Sequence, residues 1–295
     1  MPYLWMVLSA VAFALMTSCA RAVSDDFSWQ AIAFARAGLV LLFALALAGV
    51  SGTKLVFLRP KSLWLRSMAG SSSLLLSFFA ISRGLPVTDF LALTHMYPIW
   101  VAVLSWPLLR EKPGKDVWIA IVTGLCGVNL ISQANFEEGG YATLVALASS
   151  FTSAVSVIGL HRVKGVDARA VVVHFSAVAL GFVGVAMLIL PNNVIPHEPS
   201  QAAWLQLLGV GFFATIGQVL LTKAFAAGSP SRVAIAGLTQ VGFGMLCDTI
   251  FFAEQFDRWR LIGIALVMTP TAWLIATRNR PKRTELEEEG HAAST

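Results

Sequence analysis

The chain has 295 residues, 57% of them hydrophobic and only 13% charged, with a mean hydropathy of +0.73. Soluble chains carry about 25% charged residues, so a water-solvated enzyme, a disordered scaffold and a secreted disulfide domain are excluded, leaving an all-α membrane protein. The formal charge of +5 does not point to nucleic acid, because the basic residues fall in short clusters between apolar runs and form no single face.

Ten stretches are long and apolar enough to cross the ~30 Å hydrocarbon layer. The first, Tyr3 to Val23, has no basic n-region ahead of it and no A-x-A-like site, so it is predicted to be a spanning helix and not a removable signal. Trp29 to Val50, Leu63 to Ile81, Val87 to Leu109 and Val117 to Ser132 follow. A second set runs from Tyr141 to His161, Ala170 to Leu190, Trp204 to Ala227, Arg232 to Phe252 and Trp259 to Ala276. Turn-forming residues separate them, among them Arg83-Gly84-Leu85-Pro86, Lys112-Pro113-Gly114, Pro191-Asn192-Asn193 and Gly228-Ser229-Pro230. Cys19, Cys126 and Cys247 each lie in an apolar run and are expected to be small buried hydrophobes. The tail turns from basic to acidic at Glu285-Leu286-Glu287-Glu288-Glu289, so residues 279–295 are expected to be a disordered cytoplasmic tail.

Basic loops resist translocation. With the N-terminus inside, 16 of the 21 Lys and Arg residues fall on the cytoplasmic side, including Lys54, Arg66, Arg110, Lys112, Arg162, Arg169 and Arg232. Four lie opposite (Arg21, Arg83, Arg258 and Arg260), and Arg36 lies within a span. Both termini are therefore predicted to be cytoplasmic in an inner-membrane, multi-pass protein.

Sliding the chain against itself exposes a repeat. At an offset of 138, Tyr3 meets Tyr141, Val7 meets Val145, Ala10 meets Ala148, Phe13 meets Phe151 and Ser18 meets Ser156. At 140 Trp64 meets Trp204, and at 143 to 144 Gly84 meets Gly228, Glu111 meets Glu254 and Ile119 meets Ile262. Residues 1–137 and 138–278 thus read as two five-helix repeats, and an odd number of helices forces the second to insert inverted, with a cavity where the halves meet near the midplane.

The run Leu85-Pro86-Val87-Thr88-Asp89, then Tyr97-Pro98-Ile99-Trp100 and Leu109-Arg110-Glu111-Lys112, resembles the EamA-type branch of the drug/metabolite transporter superfamily. Trp118-Ile119-Ala120 through Gly124-Leu125-Cys126-Gly127-Val128 looks like that family's fifth helix. Phe13-Ala14-Leu15-Met16 with Arg36 is similar to members that move metabolites such as S-adenosylmethionine or riboflavin. The resemblance implies a ten-helix secondary carrier with a central cavity. One departure is Val241 where Pro98 would map, which predicts a ninth helix without the family's kink.

An ionisable group within a span costs roughly 2.5–3.5 kcal/mol on insertion scales, so each is a functional candidate. Arg36 either braces a helix interface or contacts an anionic substrate group; its repeat partner is His174. Thr94, His95 and Tyr97 lie near the midpoint of the fourth span beside Pro98, which frees the carbonyl of Thr94. Thr239 and Gln240 correspond on the ninth. With Gln218 and Thr222, Ser73 and Ser77, and Trp5 and Phe13, these groups are either helix glue or the polar lining of a metabolite pocket. Asp248 is the candidate coupling group for protons, or else a water-facing acid at the outer vestibule. Asp89 reads as a first-turn residue placed by the helix dipole.

There is no G-x-x-x-x-G-K-[ST] loop, no H-E-x-x-H and no G-x-S-x-G, and the histidines do not cluster, so neither a metal nor a cofactor is expected. The expectation is a secondary transporter of a small organic metabolite, amino-acid-, nucleoside- or vitamin-like, working by alternating access as a monomer or homodimer. A multi-span membrane enzyme acting on a lipid-linked substrate is the alternative.

Overall fold

The computed structural model describes residues 1–58, 60–82, 92–132, 140–163, 165–189, 199–253 and 257–277. Their regular structure is helical throughout: α1 Pro2–Ala22, α2 Trp29–Val50, α3 Lys61–Ser82, α4 Tyr97–Leu109, α5 Lys115–Ser132, α6 Gly140–Arg162, α7 Ala168–Ile189, α8 Gln201–Ala227, α9 Pro230–Gly237, α10 Thr239–Phe252 and α11 Arg258–Thr277. Ser28 and Ser200 cap α2 and α8 by accepting the backbone N–H of Ala31 and of Ala203. Among the described residues seven segments are long and apolar enough to cross a membrane: α1, α2, 92–109, α6, α7, α8 and 230–252. Their outer surfaces carry large apolar side chains fully presented to the surroundings, as at Leu188 (88% exposed) and Ile250 (73%). Such a surface is compatible with lipid and not with water.

Small residues let the helices approach. On the α3–α6 seam Ser73 Oγ bonds Ser149 and Ser153, and Ser77 Oγ lies 2.8 Å from Ser149 Oγ. A Cβ on Gly159 would come within 3.1 Å of Arg66 Cα. On the α1–α8 seam Ser9 Oγ donates to the Gly217 carbonyl at 2.8 Å, and a Cβ on Gly217 would press on the Phe13 ring. Close approach of this kind replaces the hydrophobic driving force that helices lack in lipid. The packing has a regularity: α1 packs on α8 as α3 packs on α6, α2 packs on α8 as α3 packs on α7, and α2–α7 and α5–α11 pair directly. Exchanging α1, α2, α3 and α5 for α6, α7, α8 and α11 carries this set of contacts onto itself.

The two ends of the bundle differ in chemistry. At one end Arg232 pairs with Asp116 at 2.9 Å, Ser229 donates to Glu111 at 3.2 Å, Arg162 reaches the Leu108 carbonyl and Arg169 reaches Thr53. The start of α1 is here too, because Tyr3, Trp5 and Met6 share one apolar cluster with Leu160 and Val163 at the end of α6. The other end holds the Arg21–Asp248 pair, the Phe27–Trp204 contact and, where α6 begins, Tyr141 against Phe79. So α1 starts where α6 finishes.

Both broken spans depart from the sequence expectation in an informative way. Helical residues 92–94 give way to a turn at His95 and Met96 before α4 starts with Pro98 in its first turn. Pro98 therefore opens a helix, where its missing N–H is harmless, instead of kinking one. The ninth span lacks that proline yet also breaks, at Leu238 between α9 and α10. There Thr239 Oγ1 donates to the Ala236 carbonyl at 2.7 Å, competing with the backbone ladder and bending the chain without a proline. Two further corrections concern burial. Arg66, assigned by its linear position to the cytoplasmic side, lies inside α3 and is 3% exposed. Cys126 is exposed on α5, although Cys247 is buried as expected. Asp89, Arg83, Glu254, the 137/138 boundary and the 279–295 tail lie outside the described residues.

Candidate functional site

A cavity of about 470 Å³ lies between α1, α2, α3, α6, α7 and α8. Its apolar wall is Met16, Ile32, Leu74, Val210 and Leu221, and its polar wall is Ser73, Ser77, Ser153 and Ser156 with Gln218. Two guanidinium groups, Arg36 and Arg66, face the same space, and none of the described residues lining it is acidic. That volume and that mixture suit a metabolite-sized ligand.

Arg66 is the most highly organised group. Its Nη1 donates to Ser156 Oγ at 3.1 Å, its Nη2 donates to Gln218 Oε1 at 3.0 Å, and its Cζ sits 3.9 Å from the centroid of the Phe175 ring. Ser156 Oγ donates in turn to the Arg66 carbonyl at 3.0 Å. Serine, glutamine and an aromatic face thus hold the head group of one arginine, fixing its orientation without neutralising its charge. Its Nε–H is buried and meets no acceptor. Arg36, half-buried on α2, makes no hydrogen bond or ion pair with any described residue.

A second cavity, about 480 Å³, opens at the basic end and is lined by Trp5, Leu160, Asp167, Arg169, Thr222 and Lys223 among others. It uses the same helices α1, α6, α7 and α8 as the first. Val157 and Leu221 line one cavity, and Leu160 and Val171 line the other. All four belong with Met6 to one apolar cluster, so a single packed layer separates the two spaces.

Of the residues singled out from sequence, the structure brings Arg36, Ser77 and Gln218 together in the first cavity, with Ser73 beside them. Trp5 faces the second cavity, and Phe13 is buried in the α1–α8 seam against Gly217. Thr94, His95, Tyr97, Thr239 and Gln240 line neither cavity; of these, Tyr97 bridges the two broken segments. Its Oη donates to the Ala234 carbonyl at 3.1 Å, and a Cβ on Gly237 would strike that hydroxyl. His174 is buried, with Nδ1 2.7 Å from Ser67 Oγ and its ring edge-on to Trp64. Arg66, Ser153, Ser156 and Phe175 are lining residues that sequence reasoning passed over.

The EamA-like transporter family matches residues 1–133 and again 140–276. The chain belongs to the EamA-like transporter family. Among the relatives of this family member are the riboflavin transporter of Vibrio cholerae, 22% identical over 96% of this chain and 95% of its own, and the pseudopaline exporter of Pseudomonas aeruginosa, 26% identical over 92% and 95%. A crystal structure with 17% identity superposes with a TM-score of 0.78 over 93% of this chain and 99% of that one, a likeness of fold alone. This EamA-like chain is thus a multi-pass membrane protein of a transporter family, and the resemblance read from its motifs is borne out.

In this EamA-like transporter Asp248 lies apart from both cavities, paired with Arg21 at 2.9 Å, the two side chains being 33% and 45% exposed. Arg21 also stacks on Phe252, 4.4 Å from its centroid. Exposed pairs of this kind contribute about 0.2–1 kcal/mol. Asp248→Asn is expected to lower thermal stability only slightly and to leave the response of transport to a pH gradient unchanged. Loss of that response in the variant, read in proteoliposomes, would identify Asp248 as the coupling group.

Proposed function

We propose that this chain is a secondary carrier of small organic metabolites that works by alternating access. In this reading residues 1–137 and 138–278 are two five-helix repeats, ten spans in all, inserted in opposite senses, with residues 279–295 as a cytoplasmic tail. The basic end of the bundle faces the cytoplasm of an inner membrane, which puts both termini on that side. The double family match, the exchange symmetry of the helix packing and the meeting of the α1 start with the α6 end support the repeat. The observation that carries the carrier reading is the pair of similar cavities stacked on shared helices across one packed layer. Moving that layer by about a turn's width exposes a ligand to the opposite side without opening a continuous pore, which is what alternating access requires.

Substrates of the amino-acid, nucleoside or vitamin size class match the cavity volume, and the relatives carry names that refer to riboflavin and pseudopaline. The test is counterflow in proteoliposomes. Vesicles loaded with an unlabelled substrate are expected to accumulate the same labelled compound transiently. Failure of counterflow across riboflavin, amino acids, nucleosides and small carboxylic acids would overturn the carrier reading.

A further inference from the structure

We propose that the cavity selects organic anions: a carboxylate or phosphate bound between Arg36 and Arg66, with the rest of the molecule divided between the serine wall and the apolar wall. This inference deepens the carrier reading and rests on it for its physiological meaning, although binding is tested without it.

The argument starts from charge. Two guanidinium groups open on one space with no acidic lining residue described beside them. Arg66 is buried, so its charge is poorly screened, and the partners it does have are neutral: Ser156, Gln218 and the Phe175 ring. Those contacts satisfy part of the donor fork and leave the buried Nε–H without an acceptor. Arg36 contributes a head group that no described residue pairs. A buried cation without a counter-charge is costly, and a site in which the buried Arg66 and the half-buried Arg36 face the same hollow is complementary to a ligand that supplies the missing negative charge. Neutral ligands would leave both charges uncompensated, and a cationic ligand would add a third.

Size and wall chemistry then separate an organic anion from an inorganic one. A space of about 470 Å³ is far larger than a chloride or sulfate needs, and most of its surface is apolar, from Met16, Ile32, Leu74, Val210 and Leu221. The serine hydroxyls of Ser73, Ser77 and Ser153 face the same cavity and can exchange hydrogen bonds with polar groups of the ligand body.

An anionic group could also come from a lipid headgroup entering sideways, so the experiment has arms for both sources. The purified full chain in nanodiscs of neutral phosphatidylcholine is titrated with matched pairs: nicotinate against nicotinamide, benzoate against benzamide, and ribose phosphate against ribose. Binding is read as thermal stabilisation. At least one acid is expected to bind about tenfold or more tightly than its neutral partner, the worth of one charge-assisted contact. That preference should fall in Arg36→Gln, which loses no internal partner and is expected to fold, and also in Arg66→Gln. Equal response to acid and neutral partner in every pair overturns the inference, as does a preference unaltered in both variants. Stabilisation by added phosphatidylglycerol alone, with no response to any soluble acid, overturns it in favour of a lipid. Counterflow that treats acid and neutral partner alike in every pair removes this inference and leaves the carrier standing. Acid-selective binding with no counterflow of any compound tried removes the carrier and leaves this inference.

Discussion

Arg66→Ala is expected to reduce transport by about a hundredfold while costing only about 1–3 kcal/mol of stability, and the contrast between the two follows from competing terms. Burying a guanidinium in a span costs roughly 2.5–3.5 kcal/mol on insertion scales. The bonds to Ser156 and Gln218 and the stacking on Phe175 offset it; hydrogen bonds to a charged group are each worth about 1.5–3 kcal/mol, and a desolvated cation–π contact about 2 kcal/mol. Removing the side chain removes cost and gain together. What remains is a void and an unsatisfied Gln218 oxygen, hence the modest loss of stability. Transport has no such compensation, because the charge facing the cavity disappears. Arg66→Lys keeps the charge but cannot reproduce the planar fork or its stacking on Phe175, so an intermediate rate is expected. Counterflow together with the melting temperature of the detergent-purified protein checks both halves. Wild-type counterflow in Arg66→Ala would mean that Arg66 is only a brace.

The same residue marks the limit of reading this chain from its letters. Helix existence and the end-to-end charge asymmetry were legible, because hydrocarbon thickness dictates segment length and basic residues gather at one boundary. Arg66 was not, because it stands five positions after Lys61 and reads as part of that basic cluster when burial is judged by linear position. The signal that would have found it is angular. Arg66, Gly70, Ser73 and Ser77 recur at spacings of four, three and four, a single stripe on α3, and two members of that stripe had already been singled out as cavity candidates.

Depth along a helix was legible in the same limited sense. Thr94, His95 and Tyr97 lie at the break before α4, and Thr239 and Gln240 lie just after the break at Leu238. Which way they point was not legible, since a lipid-facing surface is as apolar as the interior and leaves little amphipathic signal to fix rotation about the axis. The break at Leu238 escaped for a different reason: a proline announces itself in sequence, but the Thr239 hydroxyl that bends the ninth span by bonding to Ala236 is one threonine among many.

The helices α5 and α11, which close the two family-matched segments, meet through backbone, and the second large effect is expected there. A Cβ on Gly127 would lie 2.7 Å from the Gly263 carbonyl oxygen and 2.8 Å from Val267 Cγ2, while a Cβ on Gly263 would lie 2.8 Å from the Gly127 carbonyl oxygen and 3.1 Å from the Ile131 nitrogen. The clash is reciprocal and involves main-chain atoms, so no rotamer change relieves it; the helices must separate, losing packing along the whole seam. Gly127→Ala and Gly263→Ala are each expected to cost about 1–3 kcal/mol or more, and valine at either site should deplete folded protein in the membrane. Because both substitutions act on one contact, the double variant should cost less than the two singles combined. Gly181 on α7 and Gly244 on α10 provide the control, since a Cβ there meets nothing within 4 Å. Alanine at those sites replaces a poor helix former by the best one and should leave stability unchanged or raise it by up to about 1 kcal/mol. Melting temperatures of the four single variants decide the matter: if Gly127→Ala and Gly263→Ala melt with Gly181→Ala, the close approach of α5 and α11 does not contribute to holding the bundle together.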